Sequence, residues 1–214
     1  MKPVIIINFK TSLQGKKTIA AANAISRISS KISARIILAV QATDIYEIRK
    51  KISKKILVYS EHADYQTVGK NTGFVLPEAV KVDGGKGTLL NHSEHPLTFP
   101  VLKKTVIRCK KLKLQTAIFA KNLTEAQKIT ALQPDYLIYE PPHLVGGKKS
   151  VSLEQPGIIQ QFAESINRSF LVGAGIHSNK DVSTALKLGA SGITISSAIV
   201  LAKDPGKQLL RLVK

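Results

Sequence analysis

Short apolar runs rich in β-branched residues recur along the chain, each bounded by polar or glycine-containing turns. The first three are Val4-Ile5-Ile6-Ile7, Ile36-Ile37-Leu38-Ala39-Val40 and Ile56-Leu57-Val58-Tyr59. Thr88-Leu89-Leu90, Thr116-Ala117-Ile118-Phe119, Tyr136-Leu137-Ile138-Tyr139, Phe170-Leu171-Val172 and Ile193-Thr194-Ile195 follow. They are nearly continuous rather than alternating, the pattern of parallel strands covered on both faces. Between them apolar positions return at helical spacing. Ile19, Ala22, Ile25 and Ile28 do so within 16–32, and Leu102, Val106, Cys109 and Leu112 within 97–113. Ala126 and Ile129 mark a shorter helix, and Val182, Ala185 and Leu186 another. Thr43 and Asp44 before 45–52, Thr124 with Glu125, Ser178 before 179–188, and Pro205 after Asp204 are the expected helix starts.

Eight strands, each followed by a helical or loop segment, predict an α/β fold, a (β/α)8 TIM barrel, rather than an open sheet. The whole of 1–214 is expected to form a single TIM-barrel domain. At 214 residues the chain is near the short end of the ~200 to 400 residues this fold uses, so its helices must be shortened. The connections 60–77 and 141–155 are long enough to be functional or interfacial.

Composition narrows the partners. The 32 basic and 14 acidic residues give a net charge of +18, which favours anionic ligands. Cys109 is the one cysteine, so no intrachain disulfide or cysteine-rich metal site is expected, in keeping with a cytoplasmic location. No apolar run reaches the ~20 residues of a membrane span, and no membrane partner is expected. Basic clusters at Arg49-Lys50-Lys51, Lys54-Lys55 and Lys103 to Lys113 lack interleaved aromatics for stacking bases. They read as solvated barrel surface, and nucleic acid is not the expected partner.

In such a barrel the chemistry comes from the C-terminal ends of the strands. The first strand ends in Asn8-Phe9-Lys10, the fourth in Asn91-His92-Ser93-Glu94 and the sixth in Glu140-Pro141-Pro142. The seventh ends in Gly173-Ala174-Gly175 and the eighth in Ser196-Ser197. A cation, an imidazole and carboxylates thus converge on one rim, beside turns suited to phosphate. Gly84-Gly85-Lys86-Gly87-Thr88 lacks the order of a P-loop and precedes a strand, so it reads as a turn. The five histidines, His62, His92, His95, His143 and His177, raise a metal-dependent hydrolase as an alternative. Their spacing does not make a ligand set, and no metal or cofactor is expected.

These segments resemble triosephosphate isomerases, in the short form found in archaea. The matches are Ile7-Asn8-Phe9-Lys10-Thr11, Thr72-Gly73-Phe74-Val75-Leu76-Pro77-Glu78-Ala79-Val80 and Gly87 through Glu94. Pro134-Asp135-Tyr136, Glu140-Pro141-Pro142, Gly173-Ala174-Gly175-Ile176 and Ala202-Lys203-Asp204-Pro205 complete a series that runs the length of the chain. The resemblance implies Glu140 as the catalytic base, His92 as the electrophile, and Lys10 as the cation stabilising developing charge. Asn8 and Glu94 complete its catalytic set. It further implies substrate contacts at Asn8, Phe9, Lys10, Val145, Gly175, Ser196 and Ser197, with a triose phosphate substrate and a homodimer or homotetramer. Pro96 is expected to open the helix whose N-terminus faces His92. The lid departs from the family's usual Glu-Leu-Ile-Gly-Thr-Gly. It reads His143-Leu144-Val145-Gly146-Gly147-Lys148, then Lys149 and Ser150, and these lysines are expected near the phosphate. Glu61 stands where glutamine is common.

Overall fold

In the computed structural model, which describes residues 2–147 and 149–213, eight parallel strands close into a ring in chain order. The strands are β1 (Val4–Asn8), β2 (Arg35–Val40), β3 (Leu57–Ser60), β4 (Gly87–Leu90), β5 (Gln115–Ala120), β6 (Tyr136–Tyr139), β7 (Phe170–Val172) and β8 (Gly192–Ile195). β1 pairs with β2 from Val4↔Arg35 to Asn8↔Ala39, and β8 closes the ring from Val4↔Gly192 to Ile7↔Ile195. Each apolar run therefore became a strand, with ends within a residue or so of those expected.

Successive strand residues face opposite sides, so each strand supplies two layers of core. Val4, Ile6, Ile37, Ala39, Tyr59, Leu89, Ala117, Phe119, Tyr136, Ile138 and Leu171 fill the barrel interior. The alternate positions, Ile5, Ile7, Phe9, Leu38, Val40, Val58, Leu90, Ile118 and Leu137 among them, pack outward against the helices. This two-sided burial explains the unbroken apolar runs.

The covering helices are α1 (Lys16–Ile28), α2 (Ile45–Lys51), α3 (Pro77–Val82), α4 (Phe99–Lys111) and α5 (Leu123–Thr130), followed by α6 (Val151–Glu154), α7 (Pro156–Ser165), α8 (Asn179–Lys187), α9 (Ser197–Val200) and α10 (Pro205–Val213). They are short, as the chain length requires. Local signals set their starts unevenly. Ser178 caps α8 in a capping box with Asp181. For α5 the cap is Asn122, whose side chain accepts from the Glu125 N–H, and not Thr124. Pro96 lies outside α4, which begins at Phe99 after Thr98 with a proline in its first turn. The segment α7, with buried Ile159 and Phe162, escaped the sequence pattern because its apolar face is brief.

Candidate active site

β1 brings Asn8 and Lys10 to the mouth. Asn8 is buried, and its Oδ1 accepts a hydrogen bond from the Lys10 backbone N–H at 3.1 Å. Lys10 takes φ 49°, a left-handed backbone that costs a non-glycine residue energy and is kept only where neighbours hold it. Its ammonium lies 2.6 Å from Glu94 Oε1. Phe9, expected among the substrate contacts, is fully buried in the layer between barrel and helices. Strand parity turns its ring away from the mouth, so Phe9 offers the site no side chain.

β4 leads into Asn91, also left-handed at φ 61°. Its amide donates to the Phe119 carbonyl at 2.9 Å, and its Oδ1 accepts from the Leu97 N–H at 2.9 Å. These bonds pin the loop that carries His92. The His92 Nδ1 accepts from the Glu94 backbone N–H at 3.1 Å, so the ring proton resides on Nε2. The N–H that sets this tautomer belongs to the loop, not to a helix opened by Pro96. The His92 ring meets the edge of Phe119 at a centroid distance of 4.6 Å and an interplanar angle of 81°.

β6 ends at Glu140, which is 8% exposed. Glu140 Oε1 accepts from the Thr194 hydroxyl at 3.2 Å. Oε2 lies 2.9 Å from His92 Nε2 yet accepts no aligned hydrogen bond from the protein. Gly173 makes this position possible, because a β-carbon there would overlap both Glu140 Oε1 and the Thr194 hydroxyl.

The lid closes one side. Pro142–Leu144 forms a single 3-10 turn, after which the chain passes through Val145 and Gly146 at φ 72°. The Gly147 carbonyl lies 3.0 Å from His177 Nε2. The lid then runs so close to Gly175, itself at φ 66°, that a β-carbon there would strike the Lys149 carbonyl. The Lys149 ammonium pairs with Glu154 at 3.2 Å and is highly exposed, so it does not reach the expected phosphate position. Lys148 lies outside the described residues. His177 is anchored by the α8 start: its backbone N–H donates to Asp181 Oδ2 at 3.0 Å. Burial acts to raise the Asp181 carboxyl, but hydrogen bonds from His177 and Ser178 outweigh it and hold it below the usual carboxylate range.

Between these elements lies a cavity of about 140 Å³, lined by Asn8, Lys10, His92 and Glu140 at one end. Val145, Gly146, Gly175, Ser196 and Ser197 line the other. The structure therefore gathers the expected residues except Phe9, with Glu94 at the edge on Lys10. Phe119 and Thr194, which the sequence shows only as strand residues, also line the cavity, as does His177, which the sequence offers only among the five histidines. The period-two parity that puts Ala117 inside the barrel puts Phe119 there too, so that signal was present. Among the described residues, no three His, Cys, Asp or Glu side chains cluster to hold a metal ion.

This layout has known counterparts. The family model described as triosephosphate isomerase matches residues 3–214. The chain belongs to the triosephosphate isomerase family. The triosephosphate isomerase of Saccharolobus solfataricus is 39% identical over 96% of this chain and 92% of its own. That of Metallosphaera sedula is 36% identical over 99% and 94%, and that of Methanocaldococcus jannaschii 34% identical over 99% of each. For a triosephosphate isomerase, the neighbourhood of Lys10 carries an added carboxyl, Glu61. Burial pushes it up to about 7, aided by Asp44 and Glu94 and opposed by Lys10. Its Oε1 is buried without a hydrogen-bond partner. Beside it the His62 ring stacks on His95 at 4.2 Å, and His62 Nε2 lies 3.1 Å from Asp64 Oδ1.

Proposed function

We propose that this chain interconverts dihydroxyacetone phosphate and D-glyceraldehyde 3-phosphate through an enediolate, with Glu140 as base, His92 as electrophile and Lys10 as electrostatic stabiliser. The observation that carries the reading is the His92–Glu140 pair. An Nε2–H of fixed tautomer and a carboxylate oxygen free of protein hydrogen bonds sit 2.9 Å apart in one small cavity.

A triose phosphate entering between them offers a carbonyl oxygen to His92 Nε2–H and a neighbouring carbon-bound proton to Glu140 Oε2. Glu140 takes that proton and returns it to the adjacent carbon, while His92 Nε2 passes the hydroxyl proton from one substrate oxygen to the other, so atoms and electrons balance without an external redox partner. Negative charge builds on the oxygens as the proton leaves. The Nε2–H donor and the Lys10 ammonium stabilise it most at that moment, which is where stabilisation lowers the barrier. Asn8 holds Lys10 in place through its backbone N–H, and Glu94 fixes the ammonium and the imidazole together. The phosphate sits at the other end of the cavity, against Gly175, Ser196, Ser197 and the lid at Val145. Such a reaction serves glycolysis and gluconeogenesis.

Residues 1–214 act as a single domain in the cytoplasm, a reading supported by a barrel whose strands span the chain and by the family's soluble chemistry. Among the described residues no helix is long and apolar enough to cross a membrane. The protein associates as a homodimer or homotetramer, supported by the loop after β3, which exposes Val68 and Phe74 near the end of the family-like segment. The deciding experiment is a coupled isomerisation assay with Glu140→Gln, read with deuterium incorporation at the substrate carbon. Wild-type exchange by that variant overturns the assignment of the base.

A further inference from the structure

Charge is divided unevenly between the two ends of the barrel. At the mouth, the loops leaving the strands carry Lys10, Lys70, Lys121, Lys149 and Lys203 among the described residues. Asp44, Glu61, Asp64, Glu94, Glu140 and Asp204 balance them. At the floor, the loops entering the strands carry Lys31, Lys54, Lys86, Lys113 and Arg168, while Lys2, Arg35 and Lys55 stand there too. Among the described residues, the acidic side chains on these entering loops are Asp83 and Asp135, and Asp135 Oδ2 is engaged by the Thr116 backbone N–H at 2.8 Å. Among the described residues, the ion pairs of this protein involve none of the floor cations.

The floor is also concave. A recess of about 1000 Å³ opens there, with Lys2, Arg35, Lys55, Gln115, Tyr136 and one carboxylate, Asp135, in its wall. Its base is polar where barrels ordinarily end in branched apolar side chains. The Arg35 guanidinium donates to the Tyr136 hydroxyl at 3.1 Å, and the Tyr59 hydroxyl donates to Gln115 Oε1 at 2.6 Å. Arg35 is therefore held by a neutral partner and, among the described residues, forms no ion pair.

We infer that this floor recess binds a small polyanion bearing two or more phosphate groups, gripped by Arg35 with Lys2 and Lys55. An arginine fork suits phosphate oxygens in pairs, and flanking lysines supply point charges around it. The recess has the size of a small-molecule pocket. Tyr136 is buried and cannot stack on a base, which argues for a compact phosphate cluster over a nucleic-acid strand. A purely structural floor would gain from pairing these cations, since their mutual repulsion opposes the compact state.

The test is calorimetric titration of the full chain with inorganic tripolyphosphate at about 0.15 M salt, with triose phosphate in excess to occupy the mouth. The expected result is one site per chain, a higher Tm, and affinity reduced about tenfold or more in Arg35→Gln. The double variant Lys2→Gln, Lys55→Gln removes only exposed charges and should weaken binding in the same way if Arg35→Gln folds poorly. Isomerisation by the double variant should stay within about twofold of wild type, since a loss of that size is under 0.5 kcal/mol. Lys103→Gln with Lys104→Gln, on α4, should leave the titration unchanged. Loss of the heat signal under excess triose phosphate, equal weakening in the α4 pair, or no binding overturns the inference. Tighter binding of an oligonucleotide of equal phosphate number does so as well.

Discussion

Gly173 and Glu140 share one volume: the space a β-carbon would take on Gly173 is filled by the Glu140 carboxylate and the Thr194 hydroxyl. A main-chain position on β7 thus decides where the proposed base on β6 can stand. Gly173→Ala should push the carboxylate off His92. Displacement of about 1 Å is enough to lower turnover by about a hundredfold, while the circular dichroism spectrum stays that of a folded barrel. Near-normal kcat in a folded Gly173→Ala would show that Glu140 works from elsewhere.

His177 joins the α8 start to the lid through the Gly147 carbonyl. Removing that bond in His177→Ala should raise KM by about two- to tenfold, the range for one hydrogen bond. It should also leave the lid open more often. An enediolate exposed to water loses phosphate, so inorganic phosphate released per isomerisation should increase. Unchanged release would separate His177 from lid closure.

Glu61 makes stability fall as pH rises. Its folded-state value of about 7 exceeds the ~4.3 of an unfolded glutamate. Between those values the folded chain holds a proton that the unfolded chain has lost, so stability declines with pH until it levels off above about 7. The full effect is on the order of 4 kcal/mol. Glu61→Gln removes the titration and should raise Tm more at pH 8 than at pH 5. An equal gain at both would place the carboxyl in contact with solvent.

Cys109 is fully buried on α4, and burial pushes its thiol up to about 12. A thiol-specific reagent should label it only as fast as the chain unfolds, and denaturant should expose it in the same transition that loses helix signal. Rapid labelling of the folded protein would mean that α4 opens locally.

The barrel was legible because parallel strands buried on both faces leave unbroken apolar runs, and those runs held to within a residue or so. His92, Glu140 and Lys10 were legible because strand ends in this fold converge on one rim. Phe9 lies between two mouth residues, but the period of two sends its side chain outward, so adjacency on the strand does not show which way a residue faces. The Thr124 and Pro96 assignments failed because several capping residues stood near each helix start, and only geometry chose among them. Lys149 could not be placed from sequence because its partner, Glu154, lies one turn into the next helix. The polar floor was likewise hidden, since Arg35 on β2 meets Tyr136 on β6, and Tyr59 on β3 meets Gln115 on β5, only when the barrel closes.

The pairing of β8 with β1 also has a consequence for the growing chain on the ribosome. Until the final strand emerges, Val4–Ile7 keeps one edge of four apolar residues without its hydrogen-bonding neighbour. Nearly the whole polypeptide must be made before that edge is covered, and an uncovered apolar edge invites pairing with another nascent chain. Synthesis speed and temporary shielding of the first strand should therefore govern the yield of this protein more than the stability of the finished ring.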